Sequence, residues 1–492
     1  MARAKQERIE GSTFGGDLFL ALDRDTGLRD GIEAALRGAI ADGRLAAGTR
    51  LPSTRVLARD LGVSRGVVAE AYAHLAAGGW IVGRRGAGTT VGAIAPAEPE
   101  AARPVREPRH DLRPGRPDPS SFPREAWQRA LRRALRSAPF SAVGLGDPQG
   151  DPGLRTELAR YLARARGLRL GAGQIVVTTG FTQALAVVAR VAAARGAGAA
   201  AMEEPCMAYH RRIVAAAGLR IDPLPVDAHG ARVDELGGQG LVVLTPNRQH
   251  PLGMPLAPAR RALVLERARA AGSIVVEDDY DGEFRYDAAP LVSLQGLDPA
   301  QVVYAGTTSK ALAPGVRIGW LVVPPGLVRE TIEQKLLLDW QPGVLDQLAL
   351  AELMRSGEYD RHVRRMRLRY RRRRDALVAA LAPRRLGGTA AGLNVLLPLA
   401  TVDEERAVLD AAAARGVAVE GLAAGGYSHG AEERAGIVIG YAAAAEHAFP
   451  SALDALARAV ATADRAARAR ASTRARARAA RPEARASGRT RS

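Results

Sequence analysis

Lysine is almost missing from this chain: of seventy basic residues only Lys5, Lys310 and Lys335 are lysines, and arginine supplies the rest. A single cysteine, Cys206, excludes an intramolecular disulfide and a cysteine-rich metal site. No uninterrupted apolar run reaches the roughly 18 residues that a membrane-spanning helix needs. The first residues lack the apolar core of a secretion signal. These absences place the expected protein in the cytoplasm, with no membrane partner and no cysteine-rich metal centre.

Against those gaps stand 492 residues, 47% of them apolar, which is room for roughly three average domains or one large and one small. The formal charge of +18 is unevenly spread, because residues 465–492 hold ten arginines and one glutamate. That Ala/Ser/Arg-rich stretch has too little apolar surface to build a core, so it reads as a disordered basic tail. It adds non-specific attraction to polyanions and specifies no sequence.

Residues 17–92 form a first unit. Leu28, Ile32, Leu36 and Ile40 recur at helical spacing, and the helix stops near Gly43. Ser53 caps a short second helix, Gly62-Val63-Ser64 makes a tight turn, and Ser64 caps a third whose inward positions are Val67, Val68, Ala71, Tyr72 and Leu75. Trp80–Val82 and the Gly-rich run through Val91 read as a two-stranded wing with a basic tip. In that reading the third helix enters a major groove with Arg65 near base edges, while Arg55, Ser64, Arg84 and Arg85 lie near phosphates.

Four prolines within residues 93–110 and no apolar periodicity make that stretch a semi-extended linker. Alternating strand and helix patterns fill 111–464, an α/β signature. Within it, Val302–Tyr304 and Leu321–Val323 are apolar runs flanking Thr307-Thr308-Ser309-Lys310, so the chain's rare lysine is displayed at a strand end. An amine can lose its proton and condense with a carbonyl, whereas a guanidinium does neither. Arg317, seven residues on, suits a phosphate. Thr179-Gly180-Phe181 hands a strand to a helix, where free N–H groups face an anion. Glu277-Asp278-Asp279-Tyr280-Asp281 packs acids at another strand end, which calls for a cation or a protonated heterocycle.

The small unit, from Gly48 through Gly79, resembles the winged helix of the GntR family, whose frame Gly-x-Arg-Leu-Pro-Ser-x-Arg…Leu-Gly-Val-Ser-Arg recurs here almost throughout. Gly146-Asp147-Pro148-Gln149-Gly150, Gln249–Gly253, Asp278–Tyr286 and His362–Arg367 follow in order, and over 111–464 they resemble a fold-type I aminotransferase. Together the chain is identified as similar to MocR-type regulators, in which that fold is fused to a DNA-binding head. The fold this implies is α/β: an N-terminal winged helix-turn-helix plus a large PLP-dependent transferase domain with a mixed, mostly parallel sheet.

The same resemblance implies pyridoxal 5'-phosphate (PLP) as cofactor. Lys310 matches its Schiff-base lysine, Thr307 and Arg317 its phosphate contacts, and Gly180 with the Phe181 backbone its helix-terminal cradle. Asp278 is the first choice for the pyridine nitrogen, Asp279 the neighbour that a shift of register would substitute, and Tyr280 the contact to the ring hydroxyl. Departures stand beside these matches. The tyrosine that often precedes Gly-Asp-Pro is Leu145, an aromatic that covers the ring is Met207, and the asparagine before Pro is His250. The arginine that grips a substrate carboxylate aligns with Val438, and Arg211, Arg212 and Arg434 read as surface residues.

Loss of that arginine favours a regulator over an enzyme: a homodimer on operator DNA that senses PLP, or an amine or amino-acid effector, through Lys310. The alternatives are a working aminotransferase carrying a DNA-binding appendage, and a DNA-binding protein whose large domain is an inert scaffold.

Overall fold

The computed structural model describes residues 27–84, 88–92, 108–286, 292–428 and 434–479. The chain divides into two compact units, Met1–Arg106 and Glu107–Ser492.

In the small unit the helices run Leu28–Ala41, Thr54–Leu61 and Arg65–Ala77. Ser53 and Ser64 sit in extended conformation before the second and third, and each side-chain hydroxyl accepts from the backbone N–H three residues on, Val56 and Val67. This satisfies one of the donors that a helix start leaves free. Gly62 takes φ 66°, a left-handed conformation that stops the second helix without a Cβ clash. Ile32, Leu36, Leu57, Val68, Leu75 and Ile81 close a core of their own. The wing strands Ile81–Arg84 and Gly88–Val91 pair antiparallel, and a third strand, Arg50–Leu51, adds to the second of them.

The large unit is built on an eight-stranded sheet. Its strand order is Ile175–Thr178, Gly319–Val322, Val302–Thr307, Ile274–Asp278, Leu241–Leu244, Ala199–Glu204, Arg220–Asp227 and Gly230–Ala231. Five consecutive strands, from Val302–Thr307 to Arg220–Asp227, are parallel, while Gly319–Val322 runs antiparallel to both its neighbours. The central strands are continuous apolar runs because side chains from both faces pack into separate cores, one around Val176, Val188 and Val276, the other around Val242, Val275 and Val302. Thr178, Glu204, Asp278 and Thr307 therefore end their strands at one edge, where α/β sheets hold ligands. A smaller sheet, ordered Asn394–Leu399, Ala435–Gly440, Glu420–Gly421, lies in the C-terminal part.

Two boundaries differ from the sequence reading. His110, assigned to the linker, already pairs with Val417 in a short parallel ladder, so the large unit starts before residue 111; residues 93–107 lie outside those described. The final helix runs Phe449–Ala479, so 465–479 of the expected disordered tail continue it, while 480–492 are outside the described residues. Alanine and arginine are strong helix formers and extend a helix already anchored by packing. Arg384 pairs with Asp464 at the junction. Among the described residues no helix is long and apolar enough to cross a membrane.

Candidate functional site

Four segments meet at the sheet edge. Lys310 sits on a tight turn after Thr307, where the Leu312 N–H bonds Thr308 O at 2.8 Å. Its Nζ donates to Gly115 O at 2.6 Å, and burial lowers its pKa against the opposing pull of Asp281 and Asp278. Gly115 takes φ 71°, and a Cβ there would lie 3.2 Å from that amine, so glycine lets the backbone approach it. An amine short of water holds its proton less tightly and is the better nucleophile.

Gly180 and Arg317 form the second segment. Gly180, φ 107°, precedes the helix Phe181–Ala194, and a Cβ on it would come within 3.4 Å of the Arg317 guanidinium. A Cβ on Gly319 would lie 2.7 Å from Gly180 Cα, so the two segments approach backbone to backbone. Arg317 itself has φ 53°, the only non-glycine residue with positive φ among those described. Such a conformation costs about 1–3 kcal/mol and persists where the surroundings over-determine it. Here Thr308 clamps the loop, its N–H and its hydroxyl each donating to Ile318 O at 3.0 Å. The result is a guanidinium beside the start of the helix Phe181–Ala194, a combination able to receive an anion. Thr307 Oγ1 adjoins it in chain order and shares a hydrogen bond of 2.9 Å with Ser309 Oγ.

The acid cluster separates by partner. Asp279 accepts from Arg166 Nε at 2.8 Å, Tyr304 OH at 2.7 Å and Asn247 Nδ2 at 2.9 Å, and Arg166 also pairs with Glu283 at 2.9 Å. Asp281 meets Arg248 Nη1 at 3.2 Å. Asp278 is buried, and its Oδ1 has no hydrogen-bond partner. Burial first, then repulsion from Asp279 and Asp281, pushes its carboxyl well above the usual range. Glu277 also lacks an ion pair and leaves Oε1 without a partner, but its Oε2 accepts from Ser293 Oγ and the Gln295 N–H; Asp279 is already occupied, and Asp278 has neither an ion pair nor a partner for Oδ1.

Tyr280 OH donates to Arg248 O at 3.2 Å and accepts from Arg248 Nη1 at 3.0 Å. Its role toward a ring hydroxyl, expected from the resemblance, thus rests on the remaining lone pair. Arg248 is buried and also bonds Asn394. His250 and His210 complete the surroundings. The His250 ring lies 5.8 Å from Tyr280 and 5.6 Å from Tyr427, and His210 packs edge-on to Phe181 at 5.0 Å. Burial, Arg248 and Lys310 bring His250 down to about 3, and burial with Lys310 brings His210 to about 4.

The sign of the His250 effect follows directly. An imidazole that titrates near 6.5 when unfolded but stays neutral when folded lets the unfolded chain take the extra proton, so stability falls as pH drops below 6.5. His250→Asn is expected to lose about 1–2 kcal/mol less than the parent chain between pH 7 and pH 5. Paired denaturant titrations at the two pH values measure this.

Arg166, Gly115, Asn247, Arg248 and His210 were not singled out by sequence reasoning; Arg166 reaches Asp279 across 113 residues with no local signal. Arg211, read as a surface residue, is buried, its guanidinium donating to Cys206 O, Tyr427 O and Gly426 O at 2.7–2.9 Å. Arg434 donates to Val226 O at 2.9 Å, and Arg212 is exposed. Val438 is fully buried in the apolar core with Leu396, Leu422 and Tyr427.

In the small unit Arg65 begins the third helix, exposed, with Nε 3.4 Å from Thr54 Oγ1 on the second. Arg55 is exposed on that second helix. Arg84 lies on a wing strand, its side chain outside what is described, as is Arg85 entirely. Ser64→Ala removes the cap of the third helix. Thermal melting should lose about 1 kcal/mol in the small unit, with its unfolding separated from that of the large one.

Residues 28–91 match the family of bacterial regulatory proteins of the gntR type, and residues 117–411 match aminotransferase class I and II. The HTH-type transcriptional regulator YhdI of Bacillus subtilis (strain 168) is 34% identical over 81% of this chain and 89% of its own length. The probable rhizopine catabolism regulatory protein MocR of Rhizobium meliloti is 34% identical over 74% and 78%. The pyridoxine biosynthesis transcriptional regulator PdxR of Corynebacterium glutamicum is 33% identical over 73% and 80%. Among solved structures, the kynurenine aminotransferase of Pyrococcus horikoshii aligns with TM-score 0.64 at 26% identity, covering 72% of this chain and 90% of that one. A DNA-reading head and an aminotransferase fold in one chain, shared along most of its length with these regulators, place it in a family: the chain belongs to the MocR-type regulators, a GntR winged helix joined to a class I and II aminotransferase domain.

Proposed function

We propose that this regulator binds PLP in its large unit and that the ligand, or an amine or amino acid that exchanges onto it, sets the affinity of the winged helix for operator DNA. The single observation that carries the reading is Asp278, a buried carboxylate with an unpartnered Oδ1 and a strongly raised pKa. A protonated pyridine nitrogen supplies the missing cation and donor together. The other parts fit the same molecule: Lys310 offers the amine for the aldehyde, and Arg317 with the helix start at Gly180 offers the phosphate cradle. When bound, PLP supplies an electrophilic carbonyl and an electron-withdrawing ring. The protein's share would be to loosen the proton on the Lys310 amine, to present the Asp278 carboxyl to the ring nitrogen, and to keep Arg317 in place.

Sensing is favoured over turnover because the position that would grip a substrate carboxylate is Val438, sealed in the core, while Arg211, Arg248 and Arg434 are held by other protein groups. The functional form in this reading is a cytoplasmic homodimer on paired half-sites. An exposed apolar patch supports a second copy: Phe140 is 98% exposed and Leu145 66%, and Trp340 Nε1 and Gln341 Nε2 tie Gly146 and Leu145 to the strip holding Leu337.

Operator binding measured with and without PLP tests the link. Affinity is expected to change with PLP in the parent chain and to be indifferent to it in Lys310→Ala. The same response in both proteins sinks the proposal. Steady conversion of an amino acid to its keto acid returns the chain to the enzymes.

A further inference from the structure

The helix Glu358–Ala380 carries nine arginines. Its inner face, with Tyr359, His362, Met366, Tyr370 and Leu377, is buried, and His362 Nε2 lies 2.8 Å from Ala311 O, next to Lys310. The outer face is different. Arg361, Arg364, Arg365, Arg371 and Arg372 are exposed and recur at offsets of three, four, ten and eleven, which places them on one stripe. At 1.5 Å per residue the stripe is about 16 Å long.

The helix's acids do not neutralise it. Glu358 pairs with Arg129 at 3.2 Å, Asp360 with Arg164 at 2.7 Å and Asp375 with Arg374 at 3.3 Å, whereas none of the five stripe arginines has an ion pair among the described residues. At the helix start the stripe runs on into a groove of about 470 Å³, lined by Arg124, Arg129, Arg361 and Arg365 together with Glu125 and Glu358, so that arginines outnumber acids there by two to one. Five guanidinium groups held this close repel one another, and a solvated surface gains nothing from gathering them. A polyanion with a charge every ~1.7 Å of axis relieves the repulsion and releases counterions.

We infer that this stripe is a second DNA-binding surface, contacting the phosphate backbone of duplex outside the segment read by the winged helix. Duplex is the polyanion favoured over RNA or an anionic membrane because the same chain carries a GntR head, whose bound DNA stays tethered near the large unit at high effective concentration. The contact is to phosphates, so it adds affinity and salt dependence without reading sequence.

The test uses the full chain and a mixed-sequence 80-bp duplex, with Kd followed against salt. Each phosphate contact contributes about 0.9 to the slope of log K against log salt. Arg364→Gln/Arg365→Gln/Arg371→Gln/Arg372→Gln should lower that slope by about 3 to 4 and weaken binding at least tenfold near 0.1 M salt. The matching four-fold Arg→Lys variant should restore both, which a purely structural role for the guanidinium groups would not. The two double variants, 364/365 and 371/372, should each lower the slope by about half as much, and they serve if the four-fold variant folds poorly. Arg65→Ala, in the other unit, should lower affinity in both backgrounds by the same factor. A four-fold Gln variant with the parent's slope overturns the inference. So does a loss that is larger for single-stranded RNA or for vesicles rich in phosphatidylglycerol than for the duplex.

Discussion

Borohydride reduction of the Lys310→Ala variant in the presence of PLP is expected to leave no cofactor mass on the chain, whereas the parent protein should retain one equivalent, which peptide mass mapping should locate at residue 310. Only two other lysines exist, and they are poorly suited to replace it. Lys5 lies outside the described residues, and the Lys335 amine donates to Asp339 Oδ1 and Trp340 O, both at 2.8 Å. The expected loss is therefore complete rather than partial. Non-covalent binding should survive in weakened form, because the Arg317 cradle and Asp278 are untouched. Arg317→Ala separates the two contributions: it removes the proposed phosphate partner, expected to be worth about 1.5–3 kcal/mol, a fall of roughly 10- to 150-fold in PLP affinity, with the covalent link still expected to form at high concentration. Retained mass in Lys310→Ala would place the attachment elsewhere.

What made Lys310 legible was composition, since a chain that avoids lysine and keeps one on a strand-end turn advertises it. The helix caps at Ser53 and Ser64 were equally readable because capping is local: the acceptor and the donor are three residues apart. Strand ends could be placed too, as apolar runs meeting Thr-Gly, acid clusters and Thr-Thr-Ser-Lys. Partners across long separations could not. Nothing near Arg166 points to Asp279, and nothing near Gly115 points to Lys310, because sheet order brings them together and sequence order does not. Arg211 misled for the same reason. A guanidinium whose acceptors are the carbonyls of residues 206, 426 and 427 looks like any surface arginine until the chain has folded around it. The tail misled differently, since a composition that cannot build a core can still lengthen a helix that one already holds.

The choice between Asp278 and Asp279 shows the limit most sharply, and it yields the second large effect. Adjacent residues at a strand end face opposite ways, so one step of register decides which acid meets the ligand. Asp278→Asn and Asp279→Asn should therefore behave as opposites. Asp279→Asn weakens the buried contacts to Arg166 and Tyr304 and is expected to destabilise the ligand-free protein by about 3 kcal/mol, with Glu283 still holding part of the Arg166 charge. Asp278→Asn removes a carboxylate that has no partner for Oδ1 and should raise ligand-free stability by about 1–2 kcal/mol at pH 7. The pH dependence fixes the sign. Because its folded pKa is raised, Asp278 contributes fully to stability only below its unfolded value near 3.9, and that contribution is lost as pH rises through the folded value. The Asn variant's advantage should accordingly grow from pH 4 upward. PLP reverses the order: with no carboxylate to hold the ring nitrogen protonated, affinity in Asp278→Asn should fall by about two orders of magnitude, while folded Asp279→Asn should keep most of it. Denaturant titration beside PLP titration resolves both axes, and a destabilised Asp278→Asn with parental affinity would assign the ring nitrogen to the other acid.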